Sequence, residues 1–89
     1  MLSLEVSSQF KKDFRKLQKQ KIEDLLLVGD VIGQIQRQQP LQAVYRDHTL
    51  NVNWDGFRDC HIKPDLVLIY RVSETRLQLA RLGSHSELF

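Results

Sequence analysis

The chain has 89 residues, of which 42% are hydrophobic, and a formal net charge of +2. A chain of this length buries one core of two packed layers, which predicts a single domain over residues 1–89. Four glycines and two prolines are too few for collagen or for Pro/Gly-rich disorder. No apolar run approaches the ~18 residues of a membrane span. The first residues also lack the order of a signal peptide, in which positive charges come before an apolar run. Because Cys60 has no cysteine to pair with, these features predict a cytoplasmic protein.

The first half of the chain predicts one strand followed by two helices. Residues 1–6 alternate apolar and polar side chains, as a strand does. Ser7 or Ser8 can cap the helix that follows. The apolar stripe of that helix consists of Phe10, Phe14 and Leu17. A second helix is expected from about residue 22 to residue 38, ended by Pro40, and its wider apolar arc predicts deeper burial.

The second half predicts an antiparallel meander of three strands. The strands are expected at Trp54–Ile62, Leu66–Val72 and Arg76–Leu82, with tight turns centred near residues 63 and 74. The middle strand is apolar on both faces and should lie at the centre. The whole pattern predicts an α+β fold, in which an N-terminal strand and two helices pack on one face of a mostly antiparallel sheet.

The predicted register gathers polar side chains at one end of the meander. With these turn centres His61 lies opposite Asp65, and Arg81 comes to the same end of the sheet. His85 lies just beyond, two residues after Gly83. The position of His48 is not fixed by the register, because it lies in a loop upstream of the sheet.

Two imidazoles, a carboxylate and an arginine can cleave RNA through its own 2′-hydroxyl group. One group takes the 2′-OH proton, another protonates the departing 5′ oxygen, and a cation stabilises the charge on phosphorus. Histidine suits both proton transfers because its reference pKa is ~6.5. Such side chains also bind zinc or copper, but the chain has no His-x-His or His-x₃-His spacing. We therefore expect neither a metal ion nor another cofactor.

From Ala43 to Phe89 the chain resembles the YafQ branch of the RelE/ParE superfamily of bacterial type II toxins. The matching segments are Tyr45-Arg46-Asp47-His48 followed by Leu50, Trp54-x-Gly56-x-Arg58-Asp59-x-His61-x-x-Pro64-Asp65, Leu68-Ile69-Tyr70, and Arg81-x-Gly83-x-His85-x-x-Leu88-Phe89. The resemblance implies a RelE-like fold and a ribosome-dependent endonuclease that cleaves messenger RNA. It also implies a cognate antitoxin that neutralises the protein.

The resemblance implies active-site residues position by position. His48, His61, Asp65 and His85 become candidate catalytic residues. Candidate substrate-binding residues from the resemblance are Arg81, on the phosphate, and Phe89, against a base. From their positive charge we add Lys63, which stands where the family can have an acidic residue, and Arg58 as further candidate substrate-binding residues. We expect His85 to be the general acid, Asp65 or His61 the general base, and His48 an orienting or charge-stabilising group.

The loop after His48 departs from the family pattern. Thr49 and Val52 stand where the family usually has proline and glycine. Valine does not tolerate a positive φ, so we expect that this loop does not copy a glycine turn.

Six basic residues and one acid lie between Gln9 and Lys21. We expect this face to contact ribosomal RNA or the antitoxin, although a solvated helix face is an equal alternative. Its candidate contact residues are Lys11, Lys12, Arg15, Lys16 and Lys19. Two further alternatives remain for the whole protein: a ParE-like toxin that binds a protein such as gyrase, and a non-catalytic module that binds nucleic acid or antitoxin.

Overall fold

The structure is a computed structural model that describes residues 1–89, except for the side chain of Val52. The strands are β1 (Ser3–Val6), β2 (His48–Thr49), β3 (Arg58–Lys63), β4 (Leu66–Val72) and β5 (Arg76–Gly83). The helices are α1 (Ser8–Gln20), α2 (Ile22–Gln36) and α3 (His85–Leu88), and short 3₁₀ turns occupy Ala43–Tyr45 and Val52–Trp54. No helix in the described part of the chain is long and apolar enough to cross a bilayer.

The five strands form one mixed sheet in the order β1-β5-β4-β3-β2. β1 runs parallel to β5, and every other pair is antiparallel. The main core lies between this sheet and the two long helices, and its members include Phe10, Val28, Val31, Leu68 and Leu77. The predicted α+β fold, with the helices on one face and a three-strand meander at the end, is confirmed.

Local signals set where the helices begin and end. The Ser7 hydroxyl caps α1 by accepting a hydrogen bond from the backbone N–H of Phe10 at 2.9 Å. α2 ends two residues before the predicted boundary, and Gln38 then adopts a left-handed φ of 58° that reverses the chain. α2 has more buried residues than α1, as expected, but Leu26 on its outer face is 75% exposed.

The predicted start of the strand Trp54–Ile62 is wrong. That segment enters the sheet only at Arg58, because Trp54 belongs to a 3₁₀ turn and Gly56 turns the chain at a φ of +85°. The two-residue strand β2 is absent from the sequence-based prediction, since two residues are too short for a detectable alternation.

Both turns of the meander centre one residue later than predicted. His61 therefore lies opposite Val67 instead of Asp65, and Val67 in turn lies opposite Gly83. Irregularities in both ladders accompany this shift. Asp65 lies in the turn between β3 and β4, and Arg81 lies opposite Ile69, two pairs further into the sheet than predicted.

A second, smaller apolar cluster covers the other face of the sheet and fixes the C-terminal segment. Leu88 of α3 packs there against Val67 and Ile69. Ser84 and Glu87 form a capping box at the start of α3, and Lys16 of α1 pairs with Glu87. The ion pair with Lys16 lowers the pKa of Glu87 to about 2. The C-terminal residues are therefore docked against the sheet.

Candidate active site

The three histidines of the chain lie side by side at one end of the sheet. The ring centroids of His48 and His61 are 6.3 Å apart, and those of His61 and His85 are 5.2 Å apart. The ring of Phe89 lies 5.5 Å from that of His85, so the last residue extends the row. The four predicted aromatic and imidazole groups thus form one continuous surface.

Strand pairing explains why residues distant in sequence meet here. His48 of β2 lies opposite Asp59 of β3, and His61 follows two residues later on the same face of β3. Across the sheet, Val67 connects His61 to Gly83 at the end of β5. α3 begins two residues after Gly83, which places His85 beside His61.

Asp65 fixes the first residue of α3. Its carboxylate accepts a hydrogen bond from the backbone N–H of His85 at 3.1 Å. The structure therefore brings Asp65 to the histidine row, as expected, through the turn between β3 and β4 and not through the predicted pairing with His61. The imidazole rings of His61 and His85 make no hydrogen bond within the described residues, which leaves both rings able to exchange protons.

His48 is held on both sides of its ring. Its Nδ1 lies 2.8 Å from the carbonyl oxygen of Arg46, and its Nε2 lies 2.9 Å from Oδ1 of Asp59. The carbonyl oxygen accepts a hydrogen bond from Nδ1, whereas the Asp59 carboxylate contacts Nε2 as a charged neighbour outside hydrogen-bond geometry. This environment suits a group that orients or supplies positive charge, which is the role expected for His48.

Asp59 is the site residue that the sequence-based reasoning missed. It is only 2% exposed, and its Oδ1 atom lacks a hydrogen-bond donor within the described residues, although it forms the ion pair with His48. Burial raises the pKa of the Asp59 carboxyl above its ordinary value, and attraction to the three histidines partly offsets this effect. The signal was available, because Asp59 and His61 are two residues apart on one strand and share a face.

Of the predicted substrate-binding cations, Lys63 lies beside the histidine row, and all three already have a carboxylate partner. Arg81 contacts Asp13 of α1 at 2.9 Å. The other two pairs are Arg58 with Asp47 at 3.1 Å and Lys63 with Asp24 of α2 at 3.2 Å. These side chains therefore help to hold the elements together around the site.

The residues before His48 are fixed by a partly buried polar network. Asp47 accepts hydrogen bonds from the guanidinium of Arg58 and from the hydroxyl of Tyr70. Burial and the contact with Asp47 raise the pKa of the Tyr70 hydroxyl, so it stays a donor. The contacts of Asp47 therefore fix the backbone just before His48, and with it the orientation of the His48 ring. The Thr49 departure falls within β2, whereas the predicted effect of the Val52 side chain lies outside the described residues.

A cavity of about 540 Å³ opens beside the histidine row. His61, His85 and Lys63 line one part of it, and Tyr45 and Arg46 line another. We call this cavity the cleft.

Cys60 is fully buried beneath the sheet surface, and burial raises the pKa of its thiol to about 12, so it stays an unreactive thiol, as expected.

The basic residues of α1 are exposed on the helix surface. Its predicted contact residues are Lys11, Lys12, Arg15, Lys16 and Lys19, and all five are exposed. Lys16 is engaged with Glu87 of α3, and the acidic Asp13 points away to Arg81. On the side toward β1, Lys11 and Arg15 border an apolar groove of about 440 Å³ lined by Val6, Phe10, Phe14 and Ile32.

Comparison with known proteins agrees with this architecture. Residues 2–89 match the family described as "Bacterial toxin of type II toxin-antitoxin system, YafQ". The mRNA interferase toxin YafQ of Escherichia coli (strain B / BL21-DE3) is 40% identical over 86 residues, which span 97% of this chain and 94% of that protein.

Two solved structures share the whole fold. A metal-bound toxin from Helicobacter pylori is 47% identical, with a TM-score of 0.92 and coverage of 100% of both chains. The toxin in the E. coli DinJ-YafQ complex is 38% identical, with a TM-score of 0.89 and coverage of 100% of this chain and 99% of that chain.

The fold and the match define a toxin of a bacterial type II toxin-antitoxin system. Within that class, the chain belongs to the YafQ family. Although one relative is metal-bound, no three His, Cys, Asp or Glu side chains of the described residues are placed to hold an ion.

We predict that Asp59 lowers stability when it ionises. Because its folded-state pKa is raised above the ordinary value of 3.8, the folded protein holds this proton more tightly than the unfolded chain does. The free energy of unfolding attributable to Asp59 should fall as the pH rises from about 3.8 toward the raised pKa. Urea denaturation of the wild type and Asp59→Asn at several pH values measures this difference.

Exposed Asp55 supplies the matched control for this experiment. The difference in unfolding free energy between the wild type and Asp55→Asn should stay flat over the same pH range. The prediction would be contradicted if the free energy of unfolding of the wild type rose with pH relative to that of Asp59→Asn. Attraction of the Asp59 carboxylate to the histidines would then outweigh the cost of its burial.

Proposed function

We propose that this chain is a ribosome-dependent messenger-RNA endonuclease that uses the 2′-hydroxyl of its substrate as the nucleophile. The observation that carries the proposal is the row of His48, His61 and His85 beside one cleft. Two of these rings have no hydrogen bond within the described residues, and the third is held against a buried carboxylate. A ParE-like protein that acts by binding needs no such set, which favours the endonuclease over that alternative.

The reaction divides into two proton transfers. A base removes the 2′-OH proton while the 2′ oxygen attacks phosphorus, and an acid protonates the 5′ oxygen as its bond to phosphorus breaks. We assign the acid to His85 and the base to His61 or Asp65. Asp65 fits the base role less directly, because it already accepts the backbone N–H of His85. The products are a 2′,3′-cyclic phosphate and a free 5′ hydroxyl.

The remaining groups position the message and stabilise charge. His48, which is paired with the carboxylate of Asp59, orients the substrate or stabilises charge from one end of the histidine row. Arg81, Lys63 and Arg58 add positive charge from within their ion pairs, and Phe89 stacks on a base next to His85. None of these steps requires a cofactor. We place the reaction in the bacterial cytoplasm, where translating ribosomes are found.

The ribosome supplies the geometry that a small cleft lacks. Binding of free single-stranded RNA usually takes several stacking aromatics along a groove. Here Phe89 and Tyr45 are the aromatic residues at the cleft among the described residues. We therefore propose that α1 binds ribosomal RNA through its exposed lysines, while the ribosome holds the message for in-line attack.

The cognate antitoxin binds the groove beside α1 in our proposal. Its apolar lining accepts spaced apolar side chains, and Lys11 and Arg15 at its border attract acidic ones. β1 forms one edge of the sheet, where an extended segment can add hydrogen bonds. The E. coli toxin forms a complex with DinJ, which supports a protein partner of this kind.

We predict that His85→Ala removes proton delivery to the leaving group. The rate of message cleavage should fall ~10²-fold or more, and cells should grow without antitoxin. Folding should survive, because Asp65 binds the backbone of His85 and not its ring. Single-turnover cleavage of ribosome-bound message measures the rate, and antitoxin binding serves as the folding control. Wild-type toxicity of this variant would transfer the acid role to His48 or His61.

We predict that naked RNA is cleaved slowly or not at all, and that a message in the ribosomal A site is cleaved efficiently. Reversing the charge of Lys11, Lys12 and Lys19 should weaken the ribosomal reaction and reduce its dependence on salt. Lys16 is left unchanged because its reversal would break the contact with Glu87. Arg37→Glu, at the exposed end of α2, is the control. Equal rates on free and ribosome-bound message would make the protein a freestanding ribonuclease.

We predict that the antitoxin segment that covers the groove is acidic, carries spaced apolar residues and is disordered when alone. Deleting that segment, or introducing Lys11→Glu with Arg15→Glu, should weaken the complex, and calorimetric titration measures the loss. Arg37→Glu should bind as the wild type does. Unchanged affinity after deletion of the segment would place the antitoxin on another surface.

A further inference from the structure

The cations expected at the phosphate are already neutralised. Arg81, Arg58 and Lys63 each lie within 3.2 Å of a carboxylate oxygen. Offering full charge to a phosphate would require each of them to leave a partner that also holds the fold together. The developing charge on phosphorus therefore needs a cation that is not already paired.

Arg46 meets this requirement. It lines the cleft together with His61 and His85 and is exposed to solvent. Within the part of the chain that the structure describes, its guanidinium has no ion pair and no side-chain hydrogen bond. It is also the second residue of the Tyr45-to-His48 segment that carries one end of the histidine row.

The backbone at Arg46 adds an independent observation. Its φ is +48°, a left-handed conformation that glycine or asparagine adopts at lower cost. Strained residues of this kind cluster at functional sites, where the surrounding structure holds them in place. The conformation turns the Arg46 carbonyl toward Nδ1 of His48, at 2.8 Å, so the same residue sets the ring and borders the cleft.

We propose that the guanidinium of Arg46 binds the non-bridging oxygens of the scissile phosphate and stabilises the negative charge that develops on them. The planar fork of arginine matches two such oxygens at once. This inference rests on the proposed endonuclease function and adds to it the residue that recognises the phosphate. In this arrangement the three paired cations support the site without touching the phosphate; they are Arg81, Arg58 and Lys63.

The test compares variants at position 46 in single-turnover cleavage of a message in the ribosomal A site. Arg46→Asn should lower the rate at saturating protein about 10- to 100-fold, because one charged contact is lost in the transition state. Asparagine accepts the left-handed backbone, so the variant should unfold at the same urea concentration or a higher one. Arg46→Lys should recover part of the rate. Arg76→Gln, which removes an exposed arginine of β5, is the matched control and should cleave as the wild type does.

Each outcome decides between the proposals. A wild-type protein that cleaves no message contradicts the endonuclease function itself. An active wild type with an equally active Arg46→Asn overturns the role of Arg46 alone. If Arg46→Asn proves unstable, Arg46→Gly provides the same loss of charge with an unrestricted backbone. An Arg46→Lys variant as slow as Arg46→Asn would show that a positive charge at this position does not support the reaction, and would overturn the phosphate contact.

Discussion

The pairing of β4 with its two neighbours is the constraint on which the rest of the site depends. Val67 is fully buried and lies opposite both His61 and Gly83, so one residue fixes β3 and the end of β5 together. A slip of one residue in either ladder would turn His61 to the opposite face of its strand or displace the start of α3. The apolar contacts of Val67 and Leu88 on the outer face therefore hold two imidazoles about 5 Å apart without any direct bond between the rings.

Ion pairs surround the histidine row. Three of their carboxylates bind lysine or arginine side chains, and the fourth, Asp59, binds a histidine. Asp13, Asp24 and Asp47 each pair with one of the cations expected at the phosphate, which lowers the charge that those cations can offer to a substrate. Asp59 differs, because it is buried against a histidine and bears an oxygen without a hydrogen-bond donor in the described chain. A buried carboxylate of this kind costs folding energy, and function is a sufficient reason for a protein to keep it.

Much of the fold and part of the site follow from the sequence. Alternation and apolar stripes located both long helices and the meander, and the motif around His61 and His85 identified the ends that meet. The register needed the structure, since turns such as Pro64–Asp65 can shift by one residue without changing the hydrophobic pattern. Charge pairing was also inaccessible, because Arg81 and Asp13 are distant in sequence and their contact depends on how α1 crosses β5. The sequence and the resemblance therefore nominated Arg81 for the phosphate and gave no reason to consider Arg46.

Replacing the ribose 2′-hydroxyl by hydrogen at the cleavage position tests whether that hydroxyl group is the nucleophile. A ribosome-bound message with this single 2′-deoxy nucleotide is incubated with wild-type protein, and the products are mapped against an all-ribose message. If the histidine row transfers the 2′-OH proton, the deoxy message stays intact while the control is cut within the A-site codon. Cleavage of the deoxy message at the same position would show that an activated water attacks phosphorus, and would contradict the proposed roles of His61 and His85.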